Sequence, residues 1–467
     1  MQATPQLHVP RPAPLVLGVA ALAAGVGALA AYEPLLALLA VLGAAFVLLV
    51  LSDLTVGLLL FVGVGFLETV PGLIPGAAIK AMGVVLVLSW LATMMVRRRG
   101  TSSLLAARPW LVVLLTLFLL WSGASLLWAR SFDAVFDELI RYLPLFALFG
   151  IVHAAIRTRG QLLAVSLVLI GGAMVAVTAG IVSPPPPEAV GPQRLGSAGT
   201  GANPLAPVLV AGAALATAFA GMTRQRLAVR LGGALAAGYC VVGLFLTGSR
   251  GGLVGFSVAL LVALFFAGRG RRARVLPVIV VAVAMALLYV FAFAPPIVRE
   301  RIANPGDGAG RADIWKVGVE MVKANPVLGV GAGNFRVRSP EYVLQAGLIR
   351  RSDLIVGKPL VAHNIYLAVL SQLGIIGLLL FLAILGSSLA AGIRAARIFT
   401  QHRDEELELL CRALVIALGG TLAAGFFGSW SFSKPLWLML ALCSAMLTLA
   451  LRQHPRRSTA ARARTAP

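Results

Sequence analysis

Charge is scarce in this chain. Only 12% of its 467 residues are Asp, Glu, Lys or Arg, and 59% belong to the apolar set, against about 25% and 45–50% in soluble domains. Mean hydropathy is +0.94. A water-soluble globule is thereby excluded, and so is a disordered chain, which needs the opposite composition. Acids are scarcer still, 17 against 39 Lys and Arg. On a soluble protein that excess would point to nucleic acid. Here most of it lies in short loops between apolar runs, where it marks the cytoplasmic side of a membrane, and no nucleic-acid partner is expected. Cysteine is limited to Cys240, Cys411 and Cys443, all inside apolar runs and without metal or disulfide spacing, so they read as packing residues. No D-x-D, no H-E-x-x-H and no metal-spaced histidine pair occurs, so no metal is expected.

What the chain has instead is apolar runs of about 17–22 residues, the length of a helix crossing about 30 Å of hydrocarbon. The fold class is an all-α polytopic membrane protein. A transmembrane barrel would alternate weakly in ten-residue segments. The first run, 15–31, ends in Ala28-Leu29-Ala30. That resembles a signal-peptidase site, but the run's length and the spans that follow favour a retained helix. Runs at 35–51, 54–67 and 77–96 follow, the last ending at Arg97-Arg98-Arg99. Then come 110–127, 139–156, 161–182, 205–221, 229–246, 252–267, 275–294, 364–393, 410–427 and 435–451. With Arg97–Arg99 inside, arginine-rich connections alternate with the outer ones at 128–138, 183–203, 247–251, 295–362 and 428–434. Both termini are then cytoplasmic. The expected count is 12 spans, or 14 if both N-terminal pairs cross. The chain divides into N-terminal membrane helices (1–294), an outer loop with short amphipathic helices (295–362), C-terminal membrane helices (363–451) and a basic tail (452–467).

The 68-residue outer loop far exceeds the usual connection length. It carries ten Lys and Arg against six acids, net +4. Long loops cross regardless of charge; the functional alternative is an anion site. Ionisable groups away from the cytoplasmic collars are the first functional candidates in a membrane protein. Arg194 lies in the glycine-rich Gln193–Pro204 segment, which opens a helix and whose backbone can approach a phosphate closely. Arg250 occupies the short turn Thr247-Gly248-Ser249-Arg250-Gly251. There it either snorkels to lipid phosphate or grips a substrate phosphate bidentately. Arg311 and Trp315, four apart, share one face of a short amphipathic helix. His363, the only histidine on the outer side, stands where the loop re-enters the membrane, followed by Asn364 and Tyr366. At a helix N-terminus the macrodipole favours neutral imidazole, the form a general base needs.

Taken in order, R-x-x-x-W at Arg311 and Trp315, N-P-x-x-G-x-G-x-x-x-F at Asn325–Phe335 and H-N-x-Y-L at His363–Leu367 resemble the O-antigen ligase and polymerase superfamily. G-S-R-G at Gly248–Gly251 fits that family's upstream arginine motif. The resemblance implies an inner-membrane glycosyltransferase of GT-C-type fold with a periplasmic site, inverting and metal-independent, without a cofactor. A ligase moves O-antigen from undecaprenyl diphosphate to lipid A–core oligosaccharide. By the family pattern His363 is the catalytic histidine and Arg250 and Arg311 the essential arginines. Arg194 joins them as a diphosphate ligand, and Trp315, Asn364 and Tyr366 support the site, the two aromatics as stacking faces for sugar or lipid. Many members carry Glu nine residues after the histidine; here that position is Gln372. Near alternatives are an O-antigen polymerase using the same donor and a protein O-oligosaccharyltransferase. An anion transporter is the alternative outside the class, opposed by the absence of an inverted repeat or a mid-membrane charge cluster.

Overall fold

The computed structural model describes residues 13–70, 73–96, 104–183, 194–196, 201–267, 310–359 and 361–454, with isolated positions between 268 and 309. The expected span 275–294, the triplet Arg97–Arg99, the start of the outer loop and most of the basic tail lie outside the described residues. Among the described residues there is no strand. Fourteen helices carry the description: α1 (Ala13–Tyr32), α2 (Pro34–Ser52), α3 (Leu54–Leu67), α4 (Gly76–Val96), α5 (Pro109–Ala124), α6 (Phe132–Ala155), α7 (Arg159–Val182), α8 (Ala202–Gly221), α9 (Leu227–Leu246), α10 (Arg250–Phe266), α11 (Arg311–Ala324), α12 (Ile365–Gln401), α13 (Glu405–Ala424) and α14 (Lys434–Gln453). Eight of the described helices are long and apolar enough to cross a membrane. Shorter apolar helices account for α2, α3, α10 and part of α1.

Three boundaries correct the sequence expectation, all where charge interrupts hydropathy without interrupting the helix. α6 begins at Phe132, so the outer connection before it is shorter than 128–138. Ser131 caps it, accepting from the Ala134 N–H at 3.3 Å, with Asp133 in its first turn. α12 runs to Gln401, eight residues past the expected end, and carries Arg394 and Arg397 on its last turns; arginine is a good helix former. α13 begins at Glu405 behind the cap Asp404, with Glu405, Glu406 and Glu408 placed where the macrodipole favours acids.

α14 and α13 form the centre of the bundle. Trp437 on α14 is fully buried among Tyr142, Phe146, Phe149 and Phe381, ring centroids 5.1–6.4 Å apart. α10 and α13 cross at Gly255 and Gly420. A Cβ on either would stand 2.6–2.7 Å from the other's backbone carbonyl, so only glycines allow the approach. α11 lies over one end of the bundle with its own small core of Ile314, Val317, Met321, Val330, Phe335 and Tyr342. The expected amphipathic helix is thus present, and it faces a packed layer.

α12 is broken near its start. Gly374 has φ +64°, separating a nine-residue segment from the 27 residues that continue to Gln401. At 1.5 Å per residue the longer part alone is about 40 Å, enough to span hydrocarbon. Broken helices survive in membranes when protein satisfies the freed backbone groups. Here the Ser371 carbonyl accepts from Val330 N at 2.9 Å, the Gln372 carbonyl from Gly331 N at 2.8 Å and the Leu373 carbonyl from Trp121 Nε1 at 2.9 Å, while Ile375 N donates to the Pro326 carbonyl at 2.9 Å. The glycine-rich loop 326–334 is therefore the plug of this break.

Candidate functional site

The connections at one end of the bundle gather around the segment Phe427–Lys434. His363 precedes α12 in left-handed backbone, φ +50°, uncommon for a residue with a side chain. Three contacts hold it there. Its own N–H donates to Ser429 Oγ at 2.9 Å. The carbonyl just before it, on Ala362, accepts from Trp315 Nε1 at 2.9 Å. Asn364, just after it, caps α12 by accepting from the N–H groups of Tyr366 and Leu367 at 2.9 and 3.0 Å. A strained residue kept in place from three sides is a mark of functional sites.

Electrostatics act on the same residue. Burial, then the charges of Arg311 and Arg336, push His363 below the ordinary histidine range, so the imidazole is neutral at pH 7. The direction agrees with the helix-terminus argument, but the cause is desolvation and two guanidinium groups. Arg336 was not singled out in the sequence, although it directly follows the Asn325–Phe335 motif. It stands exposed in the turn Phe335–Arg338, and among the described residues no acid pairs with it. The neighbouring acids are engaged elsewhere. Asp313 accepts from the N–H groups of Arg350 and Arg351, both at 2.9 Å, and from Lys316. Burial would raise its pKa, but these donors outweigh it and hold the carboxyl below its usual range. Glu341 pairs with Arg338 and Arg130, Asp353 with Arg351 and Glu320 with Lys323. Among the described residues no three His, Cys, Asp or Glu side chains converge.

The other expected residues lie on neighbouring elements. Ser249 caps α10 by accepting from Gly252 N at 3.2 Å, which places Arg250 in the first turn. Beside it Gly251 lies against Phe427, whose ring centroid is 6.1 Å from that of Trp315. Arg194 donates to the Thr247 carbonyl at 2.8 Å and to Asn203 Oδ1 at 2.9 Å, tying the 194–196 segment to the Arg250 turn and the start of α8. Tyr366 donates from its hydroxyl to the Leu422 carbonyl at 2.9 Å, and its ring meets Phe426 at 4.5 Å. Trp315 and Tyr366, expected as stacking faces, thus spend their polar groups on positioning His363 and the end of α13. Gln372 stands apart from His363's contacts. Its side-chain oxygen accepts from Gly333 N in the plug of the α12 break.

A cleft of about 380 Å³ is lined by residues of α3, α6, α7, α8 and α14 together with Ser429 and Trp430. Its walls are apolar, from Phe61, Phe66, Leu148, Leu169 and Val208. Its rim is polar: Ser429, Trp430, Ser433, and Lys434 paired with Glu68 at 3.2 Å. Trp430 is 6% exposed, and its indole N–H has no partner among the described residues. Sequence reasoning marked 428–434 as an outer connection but missed Ser429 and Trp430, because apart from Lys434 the segment carries no charge. Through Ser429, which binds the His363 N–H, the cleft connects to a group of shifted pKa; an apolar cleft with a few polar groups is the usual form of a ligand site.

Residues 234–382, from within α9 to the middle of α12, match the family model described as O-Antigen ligase. The match includes Arg250, Arg311, Trp315, His363, Asn364, Tyr366 and Gln372 but not Arg194. No curated protein matches the chain.

Proposed function

We propose that this chain, which belongs to the O-antigen ligase superfamily, transfers O-antigen from undecaprenyl diphosphate to lipid A–core oligosaccharide. One observation carries the reading: a histidine in left-handed backbone, its pKa lowered by burial and by Arg311 and Arg336, bonded through its N–H to Ser429, which also lines an apolar cleft. The cleft suits the donor's hydrocarbon tail. Arg250, Arg311 and Arg194 take the diphosphate, where preorganised cations stabilise the charge developing on the leaving group. His363 takes the proton of the acceptor hydroxyl as that oxygen bonds to the anomeric carbon. The carbon–oxygen bond to the diphosphate breaks, and the lipid diphosphate leaves with the electron pair. Attack opposite the leaving group inverts the anomeric centre. Trp315, Asn364 and Ser429 are positioning residues for His363.

In this reading the helices form a GT-C-type bundle of about 12 spans in the bacterial inner membrane. Both termini are cytoplasmic and the site is periplasmic. The loop 295–362 is the periplasmic layer over the bundle, between the membrane helices 1–294 and 363–451. No cofactor or metal takes part.

The test is transfer by purified protein in lipid, offered a lipid-diphosphate glycan with either lipid A–core or a second lipid-linked glycan as acceptor. Product on lipid A–core is expected, and it survives EDTA. Extension of the second lipid-linked glycan alone would make the protein a polymerase. Activity lost in chelator and restored by Mg²⁺ would overturn the all-arginine account of the leaving group.

A further inference from the structure

The proposed chemistry uses only one end of the bundle. At the other end, Arg108 immediately precedes α5, sixteen residues and so about 24 Å from the turn that holds Asn334. One of its terminal nitrogens donates to the carbonyl and hydroxyl of Ser387 at 3.3 and 3.1 Å. The other, Nη1, is buried and has no partner among the described residues. Burial, and then the charge of Arg394, push Arg108 below the ordinary arginine value. The charge acting on it is thus of its own sign. A guanidinium donor buried without an acceptor costs about 1–3 kcal/mol or more, so this arrangement calls for an anion.

Among the described residues no carboxylate pairs with it. Asp53 accepts from Thr55 N as the cap of α3. Asp404 caps α13 and faces Arg159. Glu405 accepts from Thr223, Glu406 binds Arg159 and Gln225, and Glu408 binds Arg412. The adjoining sequence 97–103 contains three arginines and no acid.

The surroundings indicate where the anion comes from. Trp110, two residues on, is 79% exposed, and Leu105 is 61% exposed on the preceding turn. An exposed tryptophan at the end of a membrane helix marks the headgroup level. Arg394 stands exposed and makes no ion pair among the described residues. We infer that Arg108 and Arg394 form a binding site for the phosphate of an anionic membrane phospholipid, seated between the start of α5 and α12, with its acyl chains along Trp110 and Leu105. Basic pockets between membrane helices bind anionic headgroups in this way, and a guanidinium offers the phosphate paired donors. The site lies outside the transfer machinery and is independent of which glycan is moved.

The test is native mass spectrometry and thermal unfolding of the full chain in nanodiscs of phosphatidylcholine alone or with phosphatidylglycerol. Wild type should retain phosphatidylglycerol and unfold at a higher temperature in its presence. Arg108→Gln should lower retention on the order of tenfold, the equivalent of one lost charge-assisted contact, and remove most of the thermal shift. Arg394→Gln, at an exposed position that leaves the Ser387 contacts in place, should lower retention less, which covers the case of Arg108→Gln failing to fold. Arg226→Gln, a cytoplasmic-side arginine away from the pocket, should change neither. Equal retention and equal shift in both site variants would overturn the site. A matching shift from inorganic phosphate in phosphatidylcholine nanodiscs would overturn the lipid as its source.

Discussion

At the scale of the residue, His363 is where backbone and charge meet. Sequence singled it out by position alone, as the one histidine expected on the outer side, and the neutral form was expected from the helix terminus. The actual causes are burial, Arg311 and Arg336, and these are not legible in sequence because Arg336 lies 27 residues away and is brought in by folding. A pH dependence follows. A general base works when unprotonated, so kcat/KM for transfer should hold above the His363 pKa and fall as pH drops through it. Since that pKa is lowered, the acid limb should have its midpoint below 6.5. Arg336→Gln removes a positive charge that disfavours the imidazolium, so the pKa rises and the limb moves to higher pH, toward 6.5. The measurement is a pH–rate profile of both proteins at subsaturating donor. A limb that stays put or moves to lower pH in Arg336→Gln would contradict the electrostatic assignment.

At the scale of the element, the break in α12 gives the glycines of the Asn325–Phe335 motif a structural role. Gly329, Gly331, Gly333 and Gly374 all have positive φ, in the geometry of backbones in close contact. A Cβ on Gly374 would strike the Val327 carbonyl, and one on Gly329 would strike Gln372. Hydropathy identifies α12 as one long span, because a single glycine with satisfied neighbours leaves no trace in an average over many residues. Gln372 belongs to the same joint. Its contact explains how the amide serves where many members carry Glu, since the bond to Gly333 N needs only an acceptor oxygen. Gln372→Glu should keep folding and most of the transfer activity, whereas Gln372→Leu should cost about 1–3 kcal/mol by orphaning a backbone donor. Gly374→Ala should destabilise at least as much, through strain and the clash. Gly386→Ala, mid-helix with open space around it, should be neutral or slightly stabilising. Thermal unfolding in one detergent ranks the four. Equal behaviour of the two glycine variants would mean that the break is not a constraint.

At the scale of the whole molecule, the distribution of charge was the most legible feature and the most informative one. The alternation of arginine-rich connections anticipated which loops share an end. The contacts among Ser125, Ser131, Arg194, Thr247, Asn334, His363 and Ser429 unite the loops on one side of that alternation. What sequence could not give is how the acids are spent. Among the described residues, the acids of segment 310–362 bind cations and backbone of that segment and Arg130, and the proposed roles divide between a base and diphosphate-binding arginines. This division of labour makes the last prediction. Arg250→Ala and Arg311→Ala should weaken diphosphate stabilisation in ground and transition states alike, raising the donor KM and lowering kcat/KM. Lysine should rescue little, because a point charge replaces a planar fork. His363→Ala should leave donor affinity nearly intact while transfer falls by about 10²-fold or more, since a base acts on the acceptor hydroxyl only as the bond forms. Donor affinity and single-turnover rate, measured in lipid for each variant, separate the roles. If His363→Ala loses donor binding as severely as Arg311→Ala, yet still forms product at saturating donor, then His363 is a diphosphate ligand and the proton must go elsewhere.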